Sequence, residues 1–483
     1  MVVRALRKTV VVIGSGAAGL FCADGLAARG DTDVILLEAG PDPGTPPPAW
    51  MRTDLATPGE FEWGYVDADS GRPLLRGRVT GGCTSTNSAA ALRGQPWCFD
   101  DWGVEGWRWD DVAPFFRALE TDVQYGDRPW HGDSGPIPIT RLSFGPVDTA
   151  FAQWAADRGH AWVDDQNEPG VLGVGHWPTN TVDGNVRYGV HEALMPRMRP
   201  HLRADTTAER LLFDGDRCVG VLTGAGTIRA DHVVLCAGAV ESPALLLRSG
   251  IGPAADLAAA GIPLVHDAPE VGANLQDHPW TVLQVRAADP AAPGRRPVNG
   301  VLLRYEILAD DRVEVHLYPH QAQPYLPGED PAEVFLGLGL MRAISRGSVR
   351  LAADGSTEVH LNHLGDPQDA KAFDLLLDDA QAALDALGDV LVEPEDAWWR
   401  DRSRLSDHLE SYGHLVGTCR MGTDAAAVVD PALAVRGVTG VSIADASIMP
   451  ASPRANTMLA SMMIGLRGAA LVPLQPEDRH ATS

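Results

Sequence analysis

The chain has 483 residues, 45% of them hydrophobic, with 51 glycines and 36 prolines. That length exceeds one ordinary core, and the composition excludes a fibrous or disordered protein, leaving a loop-rich α/β enzyme of two closely packed domains. A formal net charge of −25 makes the surface acidic and argues against nucleic acid or an anionic membrane as partner.

The first predicted element is the unbroken apolar run Val10-Val11-Val12-Ile13, the pattern of a parallel strand buried on both faces. Gly14-Ser15-Gly16-Ala17-Ala18-Gly19 follows at once and completes G-x-G-x-x-G. Gly14 allows the tight turn and Gly16 lets backbone approach a pyrophosphate. Gly19 lets the helix predicted over Ala17 to Arg29 pack closely on the strand. That helix N-terminus offers free N–H groups and a favourable dipole to phosphate. A second apolar run, Val34 to Leu37, ends in Glu38, the acid expected about 20 positions on to bind an adenosine ribose. Strand, glycine turn, helix, strand and acid in this order predict a bound dinucleotide. The basic stretch Arg4 to Lys8 leads straight into strand one, so no signal peptide is expected, and no apolar run reaches membrane-spanning length. The expected location is the cytoplasm, or the periphery of a membrane through a partner.

Pro41 to Pro48 reads as a stiff loop. Arg76 to Asn87 is a second glycine-rich segment, in which Gly81 and Gly82 let backbone come close to a flat ligand. Trp102, Trp107 and Trp109 read as packing residues ahead of a helix over Asp110 to Glu120. His191-Glu192 opens like a zinc-protease motif, but position 195 is Met195, so no metal is expected. The six cysteines show neither C-x-x-C nor zinc spacing and read as small buried residues in a reducing compartment.

Leu211 to Val221 reads as a hairpin around Asp214-Gly215. His232 to Gly238 is another buried strand with a glycine turn, followed by a helix over Ser242 to Arg248. Between Thr281 and Leu405 the alternating runs Val301 to Ile307 and Arg312 to Tyr318 predict an antiparallel sheet, and a long helix is predicted over Gln368 to Leu387. Val441 to Asp445 returns to a buried strand closed by an acid, and a final helix runs from Thr457 to Leu471. The fold class is therefore α/β, a discontinuous Rossmann-type domain with an inserted α+β substrate domain built on an antiparallel sheet. Residues 1–140, 180–280 and 406–483 are assigned to the first, and 141–179 and 281–405 to the second.

Three further segments carry chemistry: His414-Leu-Val-Gly417-Thr418, Gly440 to Pro450 with Asp445-Ala446 inside it, and Asn456-Thr457. Read alone, His414 is a buried core histidine and Asn456 the N-cap of the final helix. With them the chain strongly resembles the glucose-methanol-choline (GMC) oxidoreductase family of flavoenzymes. The likeness runs over nearly the whole length. It includes the dinucleotide fingerprint, Gly77 to Asn87, His131-Gly132, Gly238-Ala-Val-Glu-Ser-Pro243, Val271 to Pro279 and Ser345 to Val349, as well as these C-terminal segments.

The resemblance implies FAD. Glu38 would hold the adenosine ribose and the backbone at Gly14, Gly16, Ala17 and Ala18 the pyrophosphate. Gly81, Gly82 and Asn87 would lie along the isoalloxazine, Asp445 and Ala446 near the ribityl-phosphate end, and Thr207-Ala208 beside the adenine. Ala39, Arg78, Ala237, Gly238 and Thr457 complete the implied cofactor contacts. Some family members attach flavin through a histidine where this chain has Thr86, so non-covalent FAD is expected. His414 matches the active-site histidine, which takes the hydroxyl proton while hydride moves from the α-carbon to flavin N5; an imidazole with an ordinary pKa of about 6.5 suits that task. Asn456 matches a position that is histidine or asparagine in the family, where its amide can donate to a developing alkoxide. His278 reads as structural, and Trp280, Tyr318, His320, His363 and Tyr412 are pocket candidates by chain position.

The implied activity is oxidation of an alcohol. A dehydrogenase passing electrons to a non-oxygen acceptor is favoured by the compact substrate region over an oxidase producing hydrogen peroxide. Quinone, redox peptide or oxygen all stand as acceptors. The chain is also similar to a short actinobacterial subgroup associated with mycofactocin, which would make that reduced peptide the donor. Hydroxynitrile lyases of the same family use FAD without reducing it, but Asn456 in place of a second histidine counts against that reading. A light-driven decarboxylase would need an apolar tunnel, of which the polar run Pro319 to Asp330 gives no hint.

Overall fold

The computed structural model describes residues 7–52, 59–183, 186–289, 300–308, 312–321 and 332–473. Its first strand, Lys8–Ile13, lies in the middle of a five-stranded parallel sheet. The order is Leu202–Arg203, Thr32–Leu37, Lys8–Ile13, His232–Leu235, Val441–Ile443. Val10, Val11 and Val12 are wholly buried there, as a strand covered on both faces requires. This sheet gathers strands from both ends of the chain, so the first α/β core is discontinuous. The predicted final helix, Thr457–Leu471, crosses the first helix, Ala17–Ala28, through small residues. A Cβ on Gly465 would lie 2.1 Å from the Ala18 carbonyl oxygen, and one on Gly25 would lie 2.6 Å from Ala469 Cβ.

The helix predicted to begin at Ser242 begins at Gly238 and runs to Arg248, straight through Pro243. Proline removes the N–H that would bond the carbonyl four residues back. That carbonyl, Ala239 O, instead accepts from the Thr418 hydroxyl at 2.7 Å. The threonine following Gly417 thus repairs the helix that the proline interrupts.

The second core is an eight-stranded, mostly antiparallel sheet. Its path runs Leu391–Val392, Pro279–Ala287, Glu333–Leu340, Val313–Gln321, Val301–Leu308, Gly173–His176, Trp162–Val163, with Glu410–Ser411 also pairing to Pro279–Ala287. One face packs on helices Pro146–Asp157 and Pro367–Ala386, burying Leu283, Leu317, Leu336 and Leu338 against Phe151, Phe373 and Leu376. Period-2 alternation leaves the other face toward the first core. The hairpin Ser348–Leu351 and Thr357–His360, inside the span assigned from sequence to the substrate domain, packs instead on helix Gly238–Arg248, with Val349 and Val359 beside Ala239, Val240 and Ala244. Residues 322–330 of the polar run and 4–6 of the basic N-terminal stretch lie outside the described residues. No helix among the described residues is long and apolar enough to cross a membrane.

Candidate active site

A cavity of about 630 Å³ runs between the two cores, a size that suits a cofactor site. One stretch of its wall is bare backbone. Gly14 has φ +99°, and a Cβ there would come within 2.4 Å of the Cys236 carbonyl oxygen. A Cβ on Gly82 would sit 2.9 Å from Gly16 Cα, so the two glycine-rich segments touch. The first helix starts at Ala17 after Gly16, with no side chain capping it. Its leading N–H groups are therefore left for an anion. Ala18, Glu38, Ala39, Thr207, Ala208, Ala237, Gly238, Asp445 and Ala446 line the same cavity. This arrangement fits a dinucleotide with its pyrophosphate at the glycine turns.

Two acids within the wall are tied to the chain itself. Glu38 accepts from Ser15 N and Oγ at 3.0 and 2.7 Å and from Gly40 N at 2.9 Å, pinning the first glycine turn. Asp445 accepts from Gly238 N at 2.8 Å, Ser242 Oγ at 2.5 Å and Ser447 N at 2.8 Å, pinning the second. Burial raises both carboxyls above their ordinary pKa despite these bonds. Arg78 and Gly81 do not line the cavity. The Arg78 guanidinium lies 5.5 Å from the centre of the Trp63 ring, and Gly81 donates its N–H to Ser15 O at 3.0 Å, supporting the loop from behind.

The opposite end holds the side chains that can handle a proton. Gln276 and Val416 exchange backbone hydrogen bonds at 3.0 and 2.9 Å, which sets His278 across from His414 although 136 residues separate them. His414 Nδ1 lies 2.8 Å from His278 Nδ1, and His278 Nε2 lies 3.0 Å from Ser452 Oγ. His414 Nε2 lies 3.2 Å from Asn456 Nδ2. With the Asn456 amide nitrogen turned to the ring, its N–H donates to the His414 Nε2 lone pair, which leaves the proton on Nδ1 to donate to His278. Below them the Asp277 carboxylate accepts from His414 N at 2.9 Å, Ser411 Oγ at 2.6 Å and His363 Nε2 at 3.2 Å. Burial alone would raise Asp277, but His363, Ser411 and the nearby His278 outweigh it and hold the carboxyl well below the usual range.

Burial, with His278 beside it, pushes His414 well below the ordinary imidazole pKa. Burial also takes His278 down to about 4, against the pull of Asp277. The expectation of an ordinary imidazole therefore needs correcting: both rings are neutral near pH 7. His278 is also more than a structural residue, since it touches His414 and fixes its tautomer. Asn456 occupies the N-cap position without a side-chain cap hydrogen bond; its amide turns to His414, and its buried Oδ1 has no partner among the described residues.

Thr86, Asn87 and Thr457 line the cavity, with Cys83. So do Trp280, Tyr318, His320 and Tyr412 from the pocket candidates, whereas His363 serves Asp277. Sequence reading missed Trp177 and Phe335, which face the same space; alternation along Glu333–Leu340 was the available signal for Phe335, whereas Trp177 lies between two strands. Glu120, Asp122 and His131 also converge, within 4.8 Å. Arg93 pairs with Glu120 at 2.7 Å, and Arg141 with Asp122 and Asp165 at 2.5 and 2.7 Å, so these acids already have cations. His191 bonds Thr80 Oγ1 and Gly44 O at 2.8 and 3.0 Å, and Glu192 caps Gly189.

The chain matches the family profiles described as GMC oxidoreductase over residues 9–280 and 343–465. A 5-(hydroxymethyl)furfural oxidase of Methylovorus sp. (strain MP688) is 34% identical, over 94% of this chain and 96% of that protein. An oxygen-dependent choline dehydrogenase of Brucella suis biovar 1 (strain 1330) is 33% identical, over 95% and 94%. The crystal structure of pyridoxine 4-oxidase from Mesorbium loti superposes with a TM-score of 0.83 at 28% identity, over 96% of this chain and 99% of that one. This chain therefore belongs to the GMC oxidoreductase family, FAD-binding enzymes that act on alcohol-type substrates.

Proposed function

We propose that this protein is a FAD-dependent alcohol dehydrogenase in which His414 takes the hydroxyl proton of a CH–OH donor while Asn456 holds the oxygen. The observation that carries the reading is the contact of His414 Nε2 with the Asn456 amide at 3.2 Å, on a cavity whose other wall is the bare backbone of the glycine turns. FAD, when bound, supplies the acceptor for the hydride that leaves the carbinol carbon. Gly14, Gly16, Ala17 and Ala18 would hold its pyrophosphate, Glu38 and Ala208 its adenosine end, and Gly82, Thr86 and Asn87 its flavin end. Thr86 offers no attachment point, so acid precipitation releases the flavin into solution.

His414 is ready to receive a proton because Nε2 carries the lone pair and Nδ1 is spent on His278. As the alcohol O–H breaks, the proton passes to Nε2 and the Asn456 amide N–H can move to the oxygen. The nearby Asp277 carboxylate, which accepts the His414 backbone N–H, favours the imidazolium so formed and lowers its cost in a buried site. Trp177, Trp280 and Phe335 give this end an apolar lining that disfavours water.

The compact substrate region favours a non-oxygen acceptor. A second reading, an oxidase, is supported by the names of the furfural and pyridoxine relatives. Anaerobic titration with an alcohol panel, followed by air, tests both: bleaching of the flavin band carries the alcohol reading, and no bleaching by any alcohol overturns it. Persistence of the bleached state in air marks the dehydrogenase, and prompt recolouring marks the oxidase.

A further inference from the structure

The sheet wall of the cavity carries a second pattern. Strand Glu333–Leu340 places Phe335, Gly337 and Gly339 on the cavity face, and each glycine makes room for a tyrosine ring. A Cβ on Gly337 would lie 2.5 Å from Tyr318 Cζ, and one on Gly339 would lie 2.7 Å from Tyr412 Cε2. Tyr318 is only 5% exposed and Trp177 packs edge-on against it, ring centres 4.4 Å apart. Its hydroxyl oxygen is reached by Trp280 Nε1 at 3.1 Å and by the Tyr412 hydroxyl at 2.8 Å. A phenol has two acceptor positions and one proton. Both acceptor positions are filled, and the Tyr318 proton has no acceptor among the described residues. Burial raises the phenol to about 12, so it keeps that proton.

Tyr412 links this donor to the proton-handling end, since its ring stacks on His414 with centres 4.4 Å apart. A substrate whose carbinol meets His414 and Asn456 therefore extends along Tyr412 toward Tyr318. The walls it meets are Trp177, Trp280, Val282 and Phe335, all without charge. The carboxylates that line the cavity rim are already paired, Glu241 with Arg248 at 2.7 Å and Glu410 with Arg72 at 3.3 Å. Among the described residues, no carboxylate lining the cavity is left without a hydrogen-bond or ion-pair partner for a cationic substrate to take.

We propose that Tyr318 is a specificity-determining hydrogen-bond donor, and that the site takes an uncharged, flat aromatic alcohol carrying an acceptor group on the side away from its carbinol. The inference rests on the alcohol-oxidising reading. A ring fills the slot between the aromatic walls, and an acceptor opposite the carbinol relieves an otherwise unspent buried donor. An analogue lacking it leaves Tyr318 unpaired.

The test compares 4-acetylbenzyl alcohol with 4-isopropylbenzyl alcohol, close in shape but with only the first offering an acceptor. The acetyl group slows hydride departure but eases loss of the hydroxyl proton, so recognition is read from the change in the preference between wild type and variants, in which these electronic effects cancel. Second-order rates of anaerobic flavin reduction are measured for the holoenzyme, Tyr318→Phe and Gly337→Ala, with choline and 1-hexanol as controls. The wild-type enzyme should favour the acetyl compound by about tenfold more than Tyr318→Phe does, and should favour either aromatic over choline or hexanol. Tyr318→Phe should lose that part of the acetyl preference. Gly337→Ala, which moves the ring while keeping the hydroxyl, should lose it too and stands in if Tyr318→Phe fails to hold flavin. A preference unchanged in both variants would overturn the role of Tyr318. Faster reduction by choline or hexanol would overturn the substrate class while leaving the alcohol reading intact. No reduction by any alcohol would bring down both.

Discussion

His414, His278 and Asn456 form one unit, in which burial is the largest influence on both imidazoles. His414→Ala should lower the rate of flavin reduction by at least about 10²-fold, the low end for loss of a general base, with FAD still bound; near-normal reduction would remove His414 from the mechanism. The direction of its pKa shift sets the pH profile. A base acts when unprotonated, so an imidazole held below its ordinary value stays active as pH falls through about 6.5. The acid limb of the reductive rate against pH should therefore lie below 6.5; a limb at or above that value would contradict the burial-driven shift. His414 and Asn456 could be singled out from sequence because motifs flank both, and they meet on the cavity wall. The His278 contact could not be read that way, because it depends on backbone pairing between Gln276 and Val416 across 140 residues of chain.

Helices and strands were the most legible elements, because apolar periodicity and glycine turns are local. The hairpin at Leu211 to Val221, the antiparallel runs and the final helix all came out close to expectation. The helix at Gly238 did not, because its continuation through Pro243 depends on a hydroxyl 179 residues away. The crossing of the first and last helices makes a sharper prediction. Gly465 has backbone of Ala18 where a side chain would go, and the two helices begin at opposite walls of the cavity. Gly465→Val should destabilise by about 1–3 kcal/mol or more, as overpacking does, and lower the flavin-to-protein ratio. Gly388→Ala, where an added Cβ meets nothing closer than 3.7 Å, is the control. An unchanged melting temperature and flavin content in Gly465→Val would refute the close crossing.

Over the whole molecule, buried groups titrate against one another: His131, Glu38 and Asp445, held above their ordinary values, favour the folded state as pH falls, whereas three other buried histidines disfavour it. Burial holds His232, His278 and His320 down to about 4. Above about 6.5 each is neutral folded and unfolded, and contributes no slope. Between about 6.5 and 4 the unfolded chain binds a proton that the folded one refuses, so stability falls by about 1.4 kcal/mol per pH unit per group. Asp277 and Glu120, held below the ordinary carboxylate range, add their losses only below about 4. Comparing thermal unfolding of the holoprotein with that of His232→Gln from pH 7 to 4.5 isolates one such group: the wild type should lose stability relative to the variant as pH falls, and an equal slope in both would show that His232 titrates normally. The amino-acid sequence by itself determined the α/β class and the dinucleotide turn, and it pointed to His414 and Asn456 as candidates, because strand periodicity, glycine geometry and contiguous motifs are encoded within short stretches. Tertiary structure alone decided that His278 meets His414, that Asp277 holds both segments, and that Gly337 and Gly339 seat Tyr318 and Tyr412 in the wall. Those contacts join stretches far apart in sequence, and only packing the two cores together brings them within bonding distance.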